Sequence, residues 1–128
     1  MNNQSNSIED KFKIIISVGD ESGIGPEIIL KALFSKEIPR NLDFIIVGSK
    51  NNLENTFKNL KSLGVKNIVD PNNYHIHDMR IPFEINKQKK SNGNASFFYL
   101  KKAIEIVQKH TNAALVTGPI CKLSLIHI

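Results

Sequence analysis

The stretch Gly19-Asp20-Glu21-Ser22-Gly23-Ile24-Gly25-Pro26-Glu27 constrains this chain more than any other, because it joins a buried-strand pattern to a helical one. The preceding run, Lys13 to Val18 (KIIISV), is dominated by β-branched apolar residues and suits a strand covered on both faces. Three glycines within seven residues let the backbone take φ > 0, or approach another group where a Cβ would clash. Pro26 fits the first turn of a helix, where its missing N–H has no intrahelical partner to lose. Glu27 faces the positive end of the helix dipole. A strand, a glycine turn and a helix start are expected in that order.

Such a helix start presents backbone N–H groups and a partial positive charge, and can hold a phosphate, a carboxylate or a nucleotide edge. The glycine spacing is G-x-x-x-G-x-G. It matches neither the G-x-G-x-x-G dinucleotide fingerprint nor the G-x-x-x-x-G-K-[ST] phosphate loop. From these residues alone, a ligand-binding turn and a purely structural tight turn both stand.

Residues 1–11 are rich in Asn, Ser and Gln without periodicity and read as a disordered polar tail. After the glycine turn, Ile28, Ile29, Ala32 and Leu33 form one helical stripe up to about Lys36, and Pro39 ends the helix. Leu42 to Val47 (LDFIIV) reads as a second strand closed by Gly48-Ser49, with Ser49 as a cap for the next helix. That helix, Lys50 to Leu63, places Leu53, Phe57, Leu60 and Leu63 on one face, and Gly64 is suited to stop it with positive φ. Val65 to Val69 is expected to be a short strand and Asp70-Pro71-Asn72-Asn73 a turn. Residues 74–94 are the least regular part, with a short strand expected at Arg80 to Ile85 and a basic polar loop at Asn86 to Asn92. Asn94 to Lys109 reads as a helix with Phe97, Leu100, Ile104 and Val107 on its inner stripe and Ala103 adding a small contact, and Ala113 to Thr117 (AALVT) as a buried strand ending at Gly118-Pro119.

Strands alternating with helical stripes imply parallel pairing through right-handed crossovers, hence an α/β fold: a layered, mostly parallel sheet with flanking helices. Both glycine turns, at Gly19 and Gly118, follow apolar strands. Both should lie at carboxyl ends of the sheet, where ligands of open α/β folds bind, and a shared cleft is inferred.

The candidate cleft residues are Gly19, Asp20, Gly23, Gly25, Thr117, Gly118 and Lys122. Asp20 either accepts a hydrogen bond from a ligand or stabilises its own turn. Thr117 either offers its hydroxyl to a ligand or bonds backbone at the strand end. Lys122 either meets a phosphate as a point charge or is a solvated surface lysine. His75, His77 and Asp78 form an H-x-H-D cluster, but a metal would need further ligands from elsewhere, and no metal residues are assigned. Cys121 is the only cysteine; no internal disulfide is possible, no His and acid accompany it in a nucleophile arrangement, and no catalytic residue is assigned. The net charge of +5 comes from dispersed lysines without a concentrated patch or aromatic platform, which argues against nucleic acid as a partner and is compatible with a phosphorylated small molecule. No segment approaches the ~20 apolar residues of a membrane span. The amino terminus lacks a secretion signal, so no membrane partner and a cytoplasmic location are expected.

Three blocks in order carry a family resemblance. GDESGIGPE followed by IILKAL resembles the amino-terminal signature G-D-P-A-G-I-G-P-E of the 4-hydroxythreonine-4-phosphate dehydrogenase family of vitamin B6 biosynthesis, with Glu21 and Ser22 replacing the usual Pro and Ala. GNASFFYLKKAI resembles the family's G-x-x-S-x-x-Y-L-x-x-A, and T-G-P-x-x-K through Lys122 resembles a third block. The first is also similar to the shorter G-D-G-I-G-P-E of isocitrate and isopropylmalate dehydrogenases. The resemblance implies an isocitrate/isopropylmalate dehydrogenase-like fold, incomplete in this chain. It implies a homodimer that uses NAD or NADP and a divalent metal (Zn, Mg or Co) to oxidise 4-phosphohydroxy-L-threonine, with decarboxylation following. Relatives of the family act on threonate or erythronate phosphate. The family's G-H-T block, metal histidines and further substrate contacts have no counterpart in these 128 residues.

The resemblance covers Lys13 to Lys122, so residues 12–122 are expected to be a partial α/β domain. Leu123 to Ile128 (LSLIHI) departs from the family pattern, and one back-translation, CTG TCT CTT ATA CAC ATC, spells a transposon end used in sequencing libraries. Residues 123–128 therefore read as a non-native tail, and the chain as an amino-terminal enzyme fragment that is marginal, aggregation-prone and inactive alone, because its last strand leaves an open apolar edge. The contrasting expectation is a noncatalytic α/β module that binds a phosphorylated metabolite through the two glycine turns.

Overall fold

A computed structural model of the protein describes residues 11–20, 24–39, 41–79 and 91–119, those at 91–94 by backbone alone. Four strands, β1 (Phe12–Ser17), β2 (Leu42–Gly48), β3 (His75–Asp78) and β4 (Ala113–Thr117), form one sheet in the order β3-β2-β1-β4. Every pair is parallel, with Ile16 beside both Ile46 and Val116, and Ser17 beside both Val47 and Thr117. Helices α1 (Gly25–Ala32), α2 (Lys50–Ser62) and α3 (Ser91–Gln108) connect them, and a single 3₁₀ turn spans Pro71–Asn73. This is the α/β fold with a parallel sheet and flanking helices expected from the alternation of strand and helix patterns.

The topology decides where the layers go. From β1 through α1 to β2, and on through α2 to β3, the chain steps one way across the sheet; from β3 through α3 to β4 it steps back past both earlier strands. Right-handed crossovers in opposite directions put α1 and α2 on one face and α3 on the other. The packing agrees, since α1 lies against α2, and α3 lies on β1, β2 and β4. Ile15, Ile46, Val47, Leu30, Leu53 and Tyr99 are fully buried at the centre. Each such large apolar side chain contributes about 1.5–3 kcal/mol by leaving water.

Helix α2 ends as its sequence indicates: Gly64 has φ 88°, its N–H bonds to Lys61 O, and Val65 N–H reaches back to Leu60 O at 3.0 Å. The left-handed conformation at Gly64 makes this paired closure possible without a Cβ penalty.

Several expectations need correction. Val65 to Val69 is not a strand; Val69 N–H bonds instead to Leu30 O at the end of α1, while Ile68 is buried. The closure at Gly64 directs the chain over the helices rather than into the sheet. The strand that does follow is β3, within the stretch read as irregular, and it carries the H-x-H-D cluster. Leu63 is 78% exposed because it caps α2 beyond its last turn, so it does not share the buried face of Leu53 and Leu60. Helix α3 starts earlier than Asn94, at Ser91, and is turned about its axis relative to the expected stripe. Ala95, Ser96, Tyr99 and Ala103 face the sheet, whereas Phe97 and Ile104 are each 40% exposed. Small residues at three of those four positions let the helix approach closely, which the bulkier stripe would prevent. The expected strand at Arg80 to Ile85 and most of the loop at Asn86 to Asn92 lie outside the described residues.

Candidate functional site

Ligands of open parallel sheets bind at the carboxyl ends of the strands, and β1 and β4, parallel neighbours in this sheet, end side by side. The two glycine bends sit there together. Gly118 N–H donates to Ser17 O at 2.8 Å, and Asp20 N–H donates to Pro119 O at 2.8 Å, so the ladder between β1 and β4 continues past both strand ends. The expectation that the bends lie at the same end of the sheet holds, and they are in direct contact.

This contact explains the glycines. A Cβ built on Gly19 would lie 1.8 Å from Pro119 O, and one on Gly118 would lie 2.9 Å from Gly19 N. Two backbones pass each other where no side chain fits, a use of glycine that needs no ligand. Gly25, the first residue of α1, lies against the same bend: its Cβ would come within 3.3 Å of Asp20 O. Of the candidates, the structure brings together Gly19, Asp20, Gly25, Thr117 and Gly118. Gly23 and Lys122 lie outside the described residues, as does Cys121.

Beside the bends lies the start of α1, whose first two residues, Gly25 and Pro26, are buried. Ile24 precedes it without a side-chain cap, Pro26 has no N–H, and Glu27 is in the first turn. The helix therefore directs its positive end, uncapped among the described residues, toward the rim formed by Gly19 and Asp20. Thr117 is exposed at the end of β4, and Asp20, half-buried in the bend after β1, is bonded through its N–H to Pro119. The arrangement suits an anionic oxygen held by backbone donors, with a hydroxyl and a carboxylate at the rim.

The neighbouring helix start is closed. Ser49 Oγ accepts from Asn52 N–H at 3.1 Å, and Asp78 Oδ1 accepts from Lys50 N–H at 2.9 Å. The carboxylate of the H-x-H-D cluster is thus spent on capping α2. Among the described residues no three His, Cys, Asp or Glu lie together in a way that could hold a metal ion, so no metal-dependent step is assigned to them.

Sequence reasoning passed over Ser17. It is fully buried, and its hydroxyl has no hydrogen-bond partner among the described residues. Its signal was a polar residue inside an apolar strand, directly before the glycine turn. Being sealed from solvent, it lies behind the rim rather than on it. Cavity volume marks other places: a groove of about 200 Å³ lies between α1 and the sheet, reaching Gly118 at one end, with an apolar lining. A space of about 560 Å³ lies at the opposite end of the strands, around Phe34, Lys36, Leu42 and Tyr74. Neither lies between the two bends, which are in backbone contact with each other.

Comparison with known proteins gives a consistent result. Residues 40–127 match the family described as pyridoxal phosphate biosynthetic protein PdxA. A 4-hydroxythreonine-4-phosphate dehydrogenase of Nostoc sp. is 36% identical over 129 residues, an alignment covering 94% of this chain and 36% of that protein. A Fusobacterium nucleatum protein provisionally named D-threonate 4-phosphate dehydrogenase is 33% identical, covering 90% of this chain and 38% of its own length. Two crystal structures of 4-hydroxythreonine-4-phosphate dehydrogenases share the fold. The Burkholderia phymatum enzyme has a TM-score of 0.65 at 23% identity, covering 89% of this chain and 38% of that one. The Klebsiella pneumoniae enzyme has 0.63 at 21%, covering 91% and 39%. The chain thus spans little more than a third of the length of these relatives.

Proposed function

The chain belongs to the PdxA family of pyridoxal phosphate biosynthetic proteins, and from that membership we propose that it forms the amino-terminal part of an NAD(P)- and metal-dependent dehydrogenase acting on 4-phosphohydroxy-L-threonine. Dehydrogenases are what the named relatives are; the substrate, the cofactor and this chain's share in the site are our reading. The observation that carries it is the bond from Asp20 N–H to Pro119 O, which locks the two bends into one rim beside the uncapped start of α1.

In this reading Gly19, Gly25 and Gly118 let the two bends and the start of α1 pack backbone to backbone, and that packing sets the rim at which a phosphate or carboxylate sits. The dipole of α1 stabilises that anion by about 0.3–1 kcal/mol. Thr117 offers a hydroxyl, and Asp20 accepts a hydrogen bond from the ligand. Gly23 and Lys122 belong to the same cleft, Lys122 as a point charge for phosphate. A nicotinamide cofactor, when bound, would supply the hydride acceptor for the carbon bearing the 3-hydroxyl, the hydroxyl proton would pass to a base, and the resulting 3-keto acid would lose its carboxylate as carbon dioxide. The base, the metal ligands and most substrate contacts come from sequence beyond the family blocks present here. The working enzyme is a cytoplasmic homodimer, and these 128 residues alone do not turn over substrate.

The name of the Fusobacterium relative favours one second reading, oxidation of D-threonate 4-phosphate. Complementation separates the two. The gene in its complete reading frame should restore growth of a pyridoxine auxotroph without pyridoxine. Soluble expression without growth, together with NAD(P)-linked oxidation of D-threonate 4-phosphate, would transfer the assignment to the second substrate. No dehydrogenation of either substrate by the complete protein would leave a binding module.

A further inference from the structure

We draw no further inference here: the strongest candidate, the apolar groove of about 200 Å³ that α1 forms with β1 and the outer strand β4, exposes Ile28 and Val116, and nothing in the structure shows what covers it.

Discussion

Helices α1 and α2 both follow a parallel strand of the same sheet, yet side chains from Ser49 and from Asp78 at the end of β3 cap the first turn of α2, whereas Ile24 before α1 offers no side-chain cap. At α2, Ser49 and Asp78 take the N–H groups of Asn52 and Lys50. At α1, the corresponding place is held by Ile24, which is 59% exposed and caps nothing, and by Pro26. A helix start with two of its N–H groups already taken offers fewer donors to a ligand than one without a side-chain cap among the described residues, which keeps both its donors and its dipole. The contrast separates structural capping from a candidate anion site within one sheet edge, under the same fold constraints.

The largest effect should come from the bend that sets the rim. Gly19→Ala places a methyl where Pro119 O stands, so backbone must move, and we expect a loss of about 3 kcal/mol or more in urea unfolding. A loss below about 1 kcal/mol would mean that the bends are not held together as described. At the closed helix, Ser49→Ala and Asp78→Ala should each cost about 1 kcal/mol in the same measurement and leave phosphate affinity unchanged. Changed affinity in either variant would erase the distinction between the two helix starts.

At the open helix the sign reverses. Ile24→Asp puts a negative charge on the amino end of α1, and should raise stability by about 0.3–1 kcal/mol while weakening binding of inorganic phosphate, read by calorimetry. If phosphate affinity is unaltered, α1 is not where the anion sits. The smallest effect belongs to the Glu27–Lys31 pair, 2.6 Å apart across one exposed turn. Glu27→Gln should cost about 0.2–0.5 kcal/mol, diminishing with added salt. A larger loss, or one that salt does not reduce, would show that Glu27 does more than serve its own helix.

How much of this was legible in the sequence differs by element. The apolar runs IIIS and DFIIV name β1 and β2, because a strand buried on both faces has few other compositions; AALVT does form β4, but not the buried strand expected, since none of its residues is buried and Val116 is 47% exposed. β3 was hidden: His75-Ile76-His77-Asp78 is an edge strand, half-exposed and polar, and its residues look like a ligand cluster until Asp78 is seen capping α2. The face of α3 was read only in part: Ala103 is buried as expected, but counting large apolar residues favours Phe97 and Ile104, while close packing on a sheet also selects Ala95 and Ser96 around Tyr99. At the site, the common end of the two bends could be foreseen, since both follow parallel strands. The reason for their glycines could not, because Gly19 meets Pro119 only after the whole sheet has assembled between them.

Amide NMR of the ¹⁵N-labelled protein during titration with 4-phosphohydroxy-L-threonine tests the central assignment most directly. The account predicts chemical-shift changes concentrated at Asp20, Gly25, Glu27, Thr117 and Gly118, with Lys50 and Asn52 at the capped start of α2 unmoved. Saturable binding that shifts Lys50 and Asn52 while leaving Gly25 and Glu27 in place would contradict it.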